Sequence, residues 1–564
     1  MTTAEKLVDC LQQEGVEYIF GVPGEENEDL LFAIDEKEDI AFVPCRHEQG
    51  AAFMANVWGR LTGKAGVCMS TLGPGATNLV TGVADAHLDK APLVAITAQG
   101  SLQRLHHESH QNLDITQIFE PITKWNTSIS TPQIVTETVR KAFKLAEMEK
   151  PGATHIELPE DVAMQELPKE MPVLQDAETF RPAPNGDAML KVLQQIKRSA
   201  FPLILAGNGA IRKTCSDAIK TLVEYTKIPV ATTFMGKGAI PDDSPQSLMA
   251  IGLNFDDYIS EAFEKADLII SVGFDIAEHN PKLWNPRGNK RIIHIDYEHA
   301  EVYQHYQPIV EMIGDITTTL KKLYNQLTMG DQYRNLPVWY ADIRERIHED
   351  IASYDLEPDT PVFHVPGVLN VLREKMNRDA LLISDVGSHK MWIARNFKTF
   401  QPGGCLISNG LASMGIALPG AIAAALRYPD RQVVAVAGDG GFMMNVQELA
   451  TAKRLNLNIT YIVLKDDDYS LISWKQKRHQ GKSTGTQLNN PDFVKLAESF
   501  DIIGYRPETP AELSGMLDKA LSRKGIHLIE VPVDPSINQA LTEKLESYFA
   551  NEPEKQKEAA KGIA

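Results

Sequence analysis

The chain has 564 residues, 43% of them hydrophobic and 23% charged, with a formal net charge of -19. The length suggests roughly three or four domains of ordinary size, and the acidity excludes nucleic acid and anionic membrane surfaces as partners, because both repel it. No apolar run reaches the ~18 residues of a membrane helix, and the start, MTTAEKLVDCLQQEG, lacks a basic stretch followed by an apolar one, so a cytoplasmic protein is expected.

Residues 1–166 alternate helical and strand patterns and read as a first domain. Thr3 is placed to cap a helix carrying Leu7, Leu11 and Val16, and an apolar run over 18–20 enters a turn at Gly21-Val22-Pro23-Gly24. A strand over 40–43 leads to Arg46-His47-Glu48-Gln49-Gly50-Ala51-Ala52, where a helix begins; the small residues beside Glu48 leave room for a ring to approach. Strands over 65–71 and 93–98 follow, the first running into the turn Leu72-Gly73-Pro74-Gly75. The loop over 100–114 carries His106, His107, His110 and Gln111, whose irregular spacing favours a surface loop or pocket wall over a metal cluster.

A proline-bearing linker over 167–184 precedes a central domain over 187–345. There a strand over 201–206 ends in Gly207-Asn208-Gly209, but Arg212 stands where the third glycine of a dinucleotide fingerprint belongs. A tight turn in a Rossmann-like structural domain is favoured over a nucleotide site. Five scattered cysteines, Cys10, Cys45, Cys68, Cys215 and Cys405, form no CxxC pair and read as core thiols.

A second linker, 353–361, opens the last domain, 358–540, and a charged tail over 541–564 closes the chain. Within this domain an apolar run over 433–437 reads as a buried strand, breaks at Gly438-Asp439-Gly440-Gly441, and continues with helical spacing through Met443, Val446, Leu449 and Leu455. A second apolar run over 459–464 ends in Asp466, Asp467 and Asp468. In a parallel sheet the two strand ends lie together, so Asp439 and Asp466 can face one another across a crevice at the carboxyl edge. Oxygen ligands there suit Mg2+ or Ca2+, while the glycines and the new helix favour an anion. Magnesium keeps phosphate oxygens in its shell, so a diphosphate held through metal is the natural ligand.

With GDGG and DDD in one domain and RHEQGAAF in another, the chain resembles the thiamine-diphosphate enzymes across nearly its whole length. More narrowly it is similar to acetolactate synthases of the catabolic, flavin-independent type, on FGVPG, TLGPGATN, SDVGSHKMW, ISNGLASMGIALPGAI and, as the narrower marker, VGFDIAEHNPKLWN. The resemblance implies an α/β protein of three doubly wound parallel-sheet domains: pyrimidine-binding, central Rossmann-like and diphosphate-binding. It implies thiamine diphosphate and Mg2+ as cofactors, no FAD, and small 2-oxo acid substrates. It further implies a homodimer as the minimal active unit, assembled into a homotetramer, with each cofactor between the first domain of one subunit and the third of another.

Carried onto this chain, the likeness gives Glu48 a hydrogen bond to the aminopyrimidine ring and a proton to hold there. Asp439 and Asp466, with the main-chain carbonyl of Asp468, would hold Mg2+. Gly387, Ser388, His389, Gly440 and Gly441 would bind the diphosphate, Met414 would wedge the cofactor into its bent form beside Ala412, and Tyr469 would complete the cofactor pocket. Gln111 matches a glutamine that contacts the reacting centre. The reaction implied is decarboxylation of pyruvate and joining to a second pyruvate, giving 2-acetolactate. Two positions depart from the pattern: Glu26 stands where catabolic members carry lysine, and Lys475 where they carry glutamine. Lys475 is then either a holder of an anionic acceptor or one of a solvated cluster with Lys477 and Arg478. The alternatives are a decarboxylase, a ligase of another donor or acceptor such as glyoxylate or an aldehyde, and a non-catalytic nucleotide-binding protein. The glyoxylate ligases carry an apolar residue at the Glu48 place, and Glu48, Asp439 and Asp466 together argue against the non-catalytic reading.

Overall fold

Three apolar, β-branched series build three six-stranded sheets, every named pair of strands being parallel. The computed structural model describes residues 1–168, 171–177, 181–212, 214–252, 257–329 and 337–538. The tail expected over 541–564 lies outside the described residues, as does part of the 167–184 linker.

The first sheet holds β1 (Tyr18–Gly21), β2 (Ala41–Pro44), β3 (Gly66–Ser70), β4 (Leu93–Gln99), β5 (Trp125–Ser128) and β6 (Ala153–Pro159), in the order β2-β1-β3-β4-β6-β5. Every residue of β3, β4 and β6 is buried, as strands covered by helices on both faces require. The second sheet, β7 (Pro202–Ala206), β8 (Val230–Thr232), β9 (Ser247–Ala250), β10 (Leu268–Val272), β11 (Arg291–Asp296) and β12 (Val310–Ile313), has the doubly wound order β12-β11-β10-β7-β8-β9. The third comprises β13 (Leu381–Ser384), β14 (Cys405–Ile407), β15 (Val433–Gly438), β16 (Ile459–Lys465), β17 (Ile503–Tyr505) and β18 (Ile526–Pro532), ordered β14-β13-β15-β16-β18-β17.

One apolar cluster spans the first and third sheets, drawing in Phe53 and Val57 from the helix Glu48–Thr62 and Leu418, Ala421 and Ile422 from the helix Ala417–Arg427. The two helices touch: a Cβ on Gly420 would stand 2.9 Å from Val57 Cγ2. The second and third domains are clamped by buried Arg395, which donates to both carboxylate oxygens of Asp257 at 2.9 and 2.8 Å and pairs with Asp350 at 2.7 Å. All five cysteines are buried and free.

Several expectations are corrected. The first helix, Thr3–Gln13, is capped by Thr2, whose hydroxyl accepts the Glu5 N–H at 3.1 Å while the Glu5 carboxylate accepts the Thr2 N–H at 2.7 Å. Thr3 is buried and bonds the Gln165 carbonyl instead, and Val16 lies past the helix end. The spacing from Met443 to Leu455 is two helices, Asp439–Met444 and Glu448–Arg454. Buried Asn445 interrupts them, its amide donating to the Gly415 carbonyl at 2.8 Å, and Met443 is 39% exposed rather than core. A helix Ala341–Ala352 runs through residue 345, its Ile343, Ile347 and Ile351 packed into the central core.

The crevice of the central sheet is filled by the chain itself. The Glu278 carboxylate accepts N–H bonds from Asn208 at 3.1 and 3.0 Å and from Asp275 at 3.0 Å, and the Thr233 hydroxyl at 2.5 Å. Lys150, from the first domain, pairs with Asp275 and Asp296, and Arg212 pairs with Glu149 at 2.7 Å. The incomplete fingerprint is thus a tight turn closed by a carboxylate.

Candidate active site

The strand order of the third sheet reverses between β13 and β15, so the turns after these strands open a crevice at the carboxyl edge. Gly387, Ser388 and His389 follow β13 at the start of the helix Ser388–Asn396, and Asp439, Gly440 and Gly441 follow β15 at the start of the next. The reversal puts two helix N-termini side by side, which is a setting for an anion.

Asp439 is 2% exposed, and its Oδ2 accepts the N–H groups of Asp466 at 3.3 Å and Asp467 at 2.7 Å and the Asn490 amide at 2.8 Å. Asp466 accepts the Asp468 N–H at 3.3 Å and a close bond from the Ser470 hydroxyl. Burial pushes the Asp439 carboxyl up from its ordinary range; burial, with Asp439 beside it, pushes Asp466 to about 7. Two carboxyls so placed repel one another and gain most from a cation between them. Among the described residues no three His, Cys, Asp or Glu side chains converge as a metal set. Two carboxylates completed by a carbonyl and by phosphate oxygens suit Mg2+ without a third side chain.

The residues present fit a diphosphate. A Cβ on Gly440 would stand 2.5 Å from the Tyr469 ring and would displace it, and one on Gly441 would stand 2.5 Å from Asp385 Oδ1, so at Gly441 the turn admits only bare backbone. His389 is buried with Nε2 lacking a partner, and burial lowers its imidazole to about 4, leaving it neutral. The Asp468 carboxylate likewise has one buried oxygen without a partner.

Sequence reasoning missed Asp385. Fully buried at the end of β13, it accepts N–H bonds from Val386 at 2.8 Å, Gly415 at 2.9 and 3.0 Å and Ala417 at 3.0 Å. Burial pushes it up to about 6. It thereby ties the turn carrying Ala412 and Met414 to the end of β13. Ala412 has φ +58, a left-handed conformation uncommon for a residue with a side chain, and Met414 is partly exposed beside it. Lys475 is exposed on the helix Ser470–Gln480, which begins just after the Asp466 turn.

Glu48 and Gln111 stand apart from these groups, on the first sheet. Glu48 is 8% exposed at the first position of its helix, and its Oε2 accepts the Asn78 amide at 2.9 Å. A Cβ on Gly75 would lie 3.4 Å from its other oxygen, and Gln111, itself at φ +56, backs onto Gly73 of the same turn. The small residues after Glu48 serve packing rather than a ring. Gly50 leaves room for Glu448, whose carboxylate accepts the Arg46 and His47 N–H groups at 2.9 and 3.1 Å, and Ala51 and Ala52 are fully buried. Glu26 accepts the Thr71 hydroxyl at 2.6 Å and lies 3.6 Å from Arg104, so its charge has a cationic neighbour. His106, His107 and His110 are exposed on their loop.

Two half-sites on equivalent sheet edges, one acidic and glycine-rich, the other presenting a shielded glutamate, are the parts of a thiamine pyrophosphate enzyme. Family profiles match in three places: the N-terminal TPP binding domain of thiamine pyrophosphate enzymes over 1–118, their central domain over 189–323 and their C-terminal TPP binding domain over 385–531. The chain is similar to acetolactate synthase of Bacillus subtilis, 34% identical over 549 residues that cover 97% of this chain and 96% of the relative. It is similar to the probable acetolactate synthase large subunit of Methanocaldococcus jannaschii, 34% identical over 95% of this chain and 92% of that one. With the catabolic acetolactate synthase of Raoultella terrigena it shares 32% identity over 96% of this chain and 97% of the other. The chain belongs to the acetolactate synthase family of thiamine pyrophosphate enzymes.

Proposed function

We propose that this carboligase decarboxylates one pyruvate and joins the remaining two-carbon unit to a second, giving 2-acetolactate and carbon dioxide. The observation that carries the reading is the pairing of buried Asp439 with half-buried Asp466 at a strand-order reversal, beside a turn in which Gly441 has no room for a side chain. Bound thiamine diphosphate supplies the electron sink for loss of the carboxylate.

Asp439, Asp466 and the Asp468 carbonyl hold Mg2+ in this reading, and Gly387, Ser388, His389, Gly440 and Gly441 take the diphosphate. Ala412, Met414 and Tyr469 fix the ring system. Glu48, shielded from water and hydrogen-bonded to Asn78, holds a proton at the pyrimidine nitrogen. Gln111 faces the reacting centre, and Lys475 receives the carboxylate of the acceptor. The reading includes a homodimer as the smallest active unit, built into a homotetramer, in the cytoplasm. Exposed Leu411, Met443 and Met444 near the cofactor edge supply apolar surface for such a contact. It also includes the absence of FAD, supported by Glu278 and Lys150 filling the central crevice.

Incubation with thiamine diphosphate, Mg2+ and pyruvate should yield acid-labile acetolactate, measured as acetoin, from a colourless protein. Acetaldehyde and carbon dioxide without acetolactate would replace this by a decarboxylase. A second reading, the same chemistry with another acceptor, is favoured by one observation: the Glu26 carboxylate, with Arg104 3.6 Å away, occupies the place of a lysine in catabolic relatives. A panel of 2-oxo acids and aldehydes separates the two.

A further inference from the structure

The segment from Ser408 to Met414, assigned above to the cofactor ring, is held almost entirely from outside its own sheet. The Ser408 hydroxyl and the Ser413 N–H both donate to Asp85 Oδ1, at 2.7 and 3.3 Å. The N–H groups of Asn409 and Gly410 donate to Asp89 Oδ1 at 3.2 and 2.6 Å. Asp85 and Asp89 lie one turn apart at the end of the helix Pro74–Leu88 of the first domain, 0% and 1% exposed. Arg60 lies 3.4 Å from Asp89, and Lys390, next to the diphosphate residues, donates to the Ser408 carbonyl at 3.0 Å and to Asn409 Oδ1 at 3.1 Å. The central domain joins in: Asn208 donates to the Asp89 carbonyl at 2.9 Å, and Asn409 donates to the Glu278 carbonyl at 3.1 Å.

Two carboxylates buried so close together are costly unless every oxygen is used. Here Oδ2 of each is taken by Asn56 or Arg60 of its own domain, and Oδ1 of each is spent on a turn of another domain that contains Ala412 at φ +58. At its other end the same helix carries Asn78, which donates to Glu48. We propose that Asp85 is a positioning residue for the cofactor. By accepting from Ser408 and Ser413 it holds the turn so that Ala412 and Met414 meet the ring, and it does so from the helix that also steadies Glu48. This rests on the reading of the 408–414 turn given above.

The test uses the full chain with Mg2+ and titrates thiamine diphosphate calorimetrically, with KM for pyruvate and the thermal midpoint measured in parallel. Asp85→Ala should weaken cofactor binding by about tenfold or more, with KM for pyruvate changed less than about twofold. Asp85→Asn should recover most of the loss, because Asn56, which donates to Asp85 at 2.9 Å and has its own Oδ1 without a partner, can turn its amide to match. Should the alanine variant fail to fold, Ser408→Ala decides. Weakening of cofactor binding by about threefold or more supports the proposal, and unchanged binding overturns it. A folded Asp85→Ala protein with unchanged cofactor affinity also overturns it. Asp439→Ala, run alongside, separates the two levels: if that variant still binds thiamine diphosphate, the reading of the site fails, whereas if it does not, an unaffected Asp85→Ala counts against this proposal alone.

Discussion

Asp439 Oδ2 accepts the main-chain N–H of Asp467 at 2.7 Å, so the carboxylate assigned to metal also fixes the turn that carries the second carboxylate. The two duties can be separated. Asp439→Asn keeps an oxygen for the turn and loses the charge: the thermal midpoint should stay within a few degrees, while the Mg2+ needed for half-maximal cofactor binding rises roughly tenfold or more. Asp439→Ala should lose both. Equal Mg2+ requirements in parent and Asn variant would remove Asp439 from the metal.

Glu48→Gln should leave thiamine diphosphate bound but slow turnover by about 10²–10⁴, the range for loss of a proton-handling group. Calorimetric binding and steady-state rates measured together decide this. Unchanged turnover would return Glu48 to the role of a buried helix-start residue bonded to Asn78.

Lys475→Gln should shift preference among acceptors while donor decarboxylation continues, since an exposed lysine on its helix contributes little to the fold. Product ratios across anionic and neutral acceptors provide the measurement. Identical ratios would place Lys475 in the solvated cluster with Lys477 and Arg478.

The glycine pair at the third-sheet turn offers a contrast. Gly440→Ala presses on the Tyr469 ring, which is partly exposed and has room to swing, so cofactor affinity should fall with little loss of stability. Gly441→Ala presses on Asp385, which is locked by main-chain N–H bonds from three residues, and should cost roughly 1–3 kcal/mol of stability. Urea titrations of the two variants test the order.

His155 supplies a pH dependence remote from the site. It is fully buried, stacked on Phe119 and bonded to Thr97, and burial lowers its imidazole to about 3. The unfolded chain takes up this proton near pH 6.5 while the folded one does not, so its contribution is complete above 6.5 and is lost as pH falls toward 3. The loss reaches roughly 3 kcal/mol by pH 4.5. His155→Phe should show a correspondingly flatter fall between pH 6.5 and 4.5.

The sheets and the pair of acidic strand ends were legible in the sequence because parallel strands buried on both faces are written as continuous apolar runs, and glycines mark where they stop. Asp385, Asp85 and Asn490 were not. Their partners lie 30, 323 and 51 residues away, with no local pattern to betray them. The small residues after Glu48 were legible as a close approach but not as to what approaches, since Glu448 arrives from the third domain. Helical spacing through Met443 and Leu455 persisted across Asn445, where the backbone leaves the helix to meet Gly415.

The first and third sheets share one strand order, so the glutamate after β2 and the Ala412–Met414 turn after β14 stand at matching stations, as do the glycine turns after β3 and β15. A single scaffold is therefore written twice in this polypeptide, one copy bearing a shielded glutamate at its carboxyl edge and the other an acidic, glycine-rich turn.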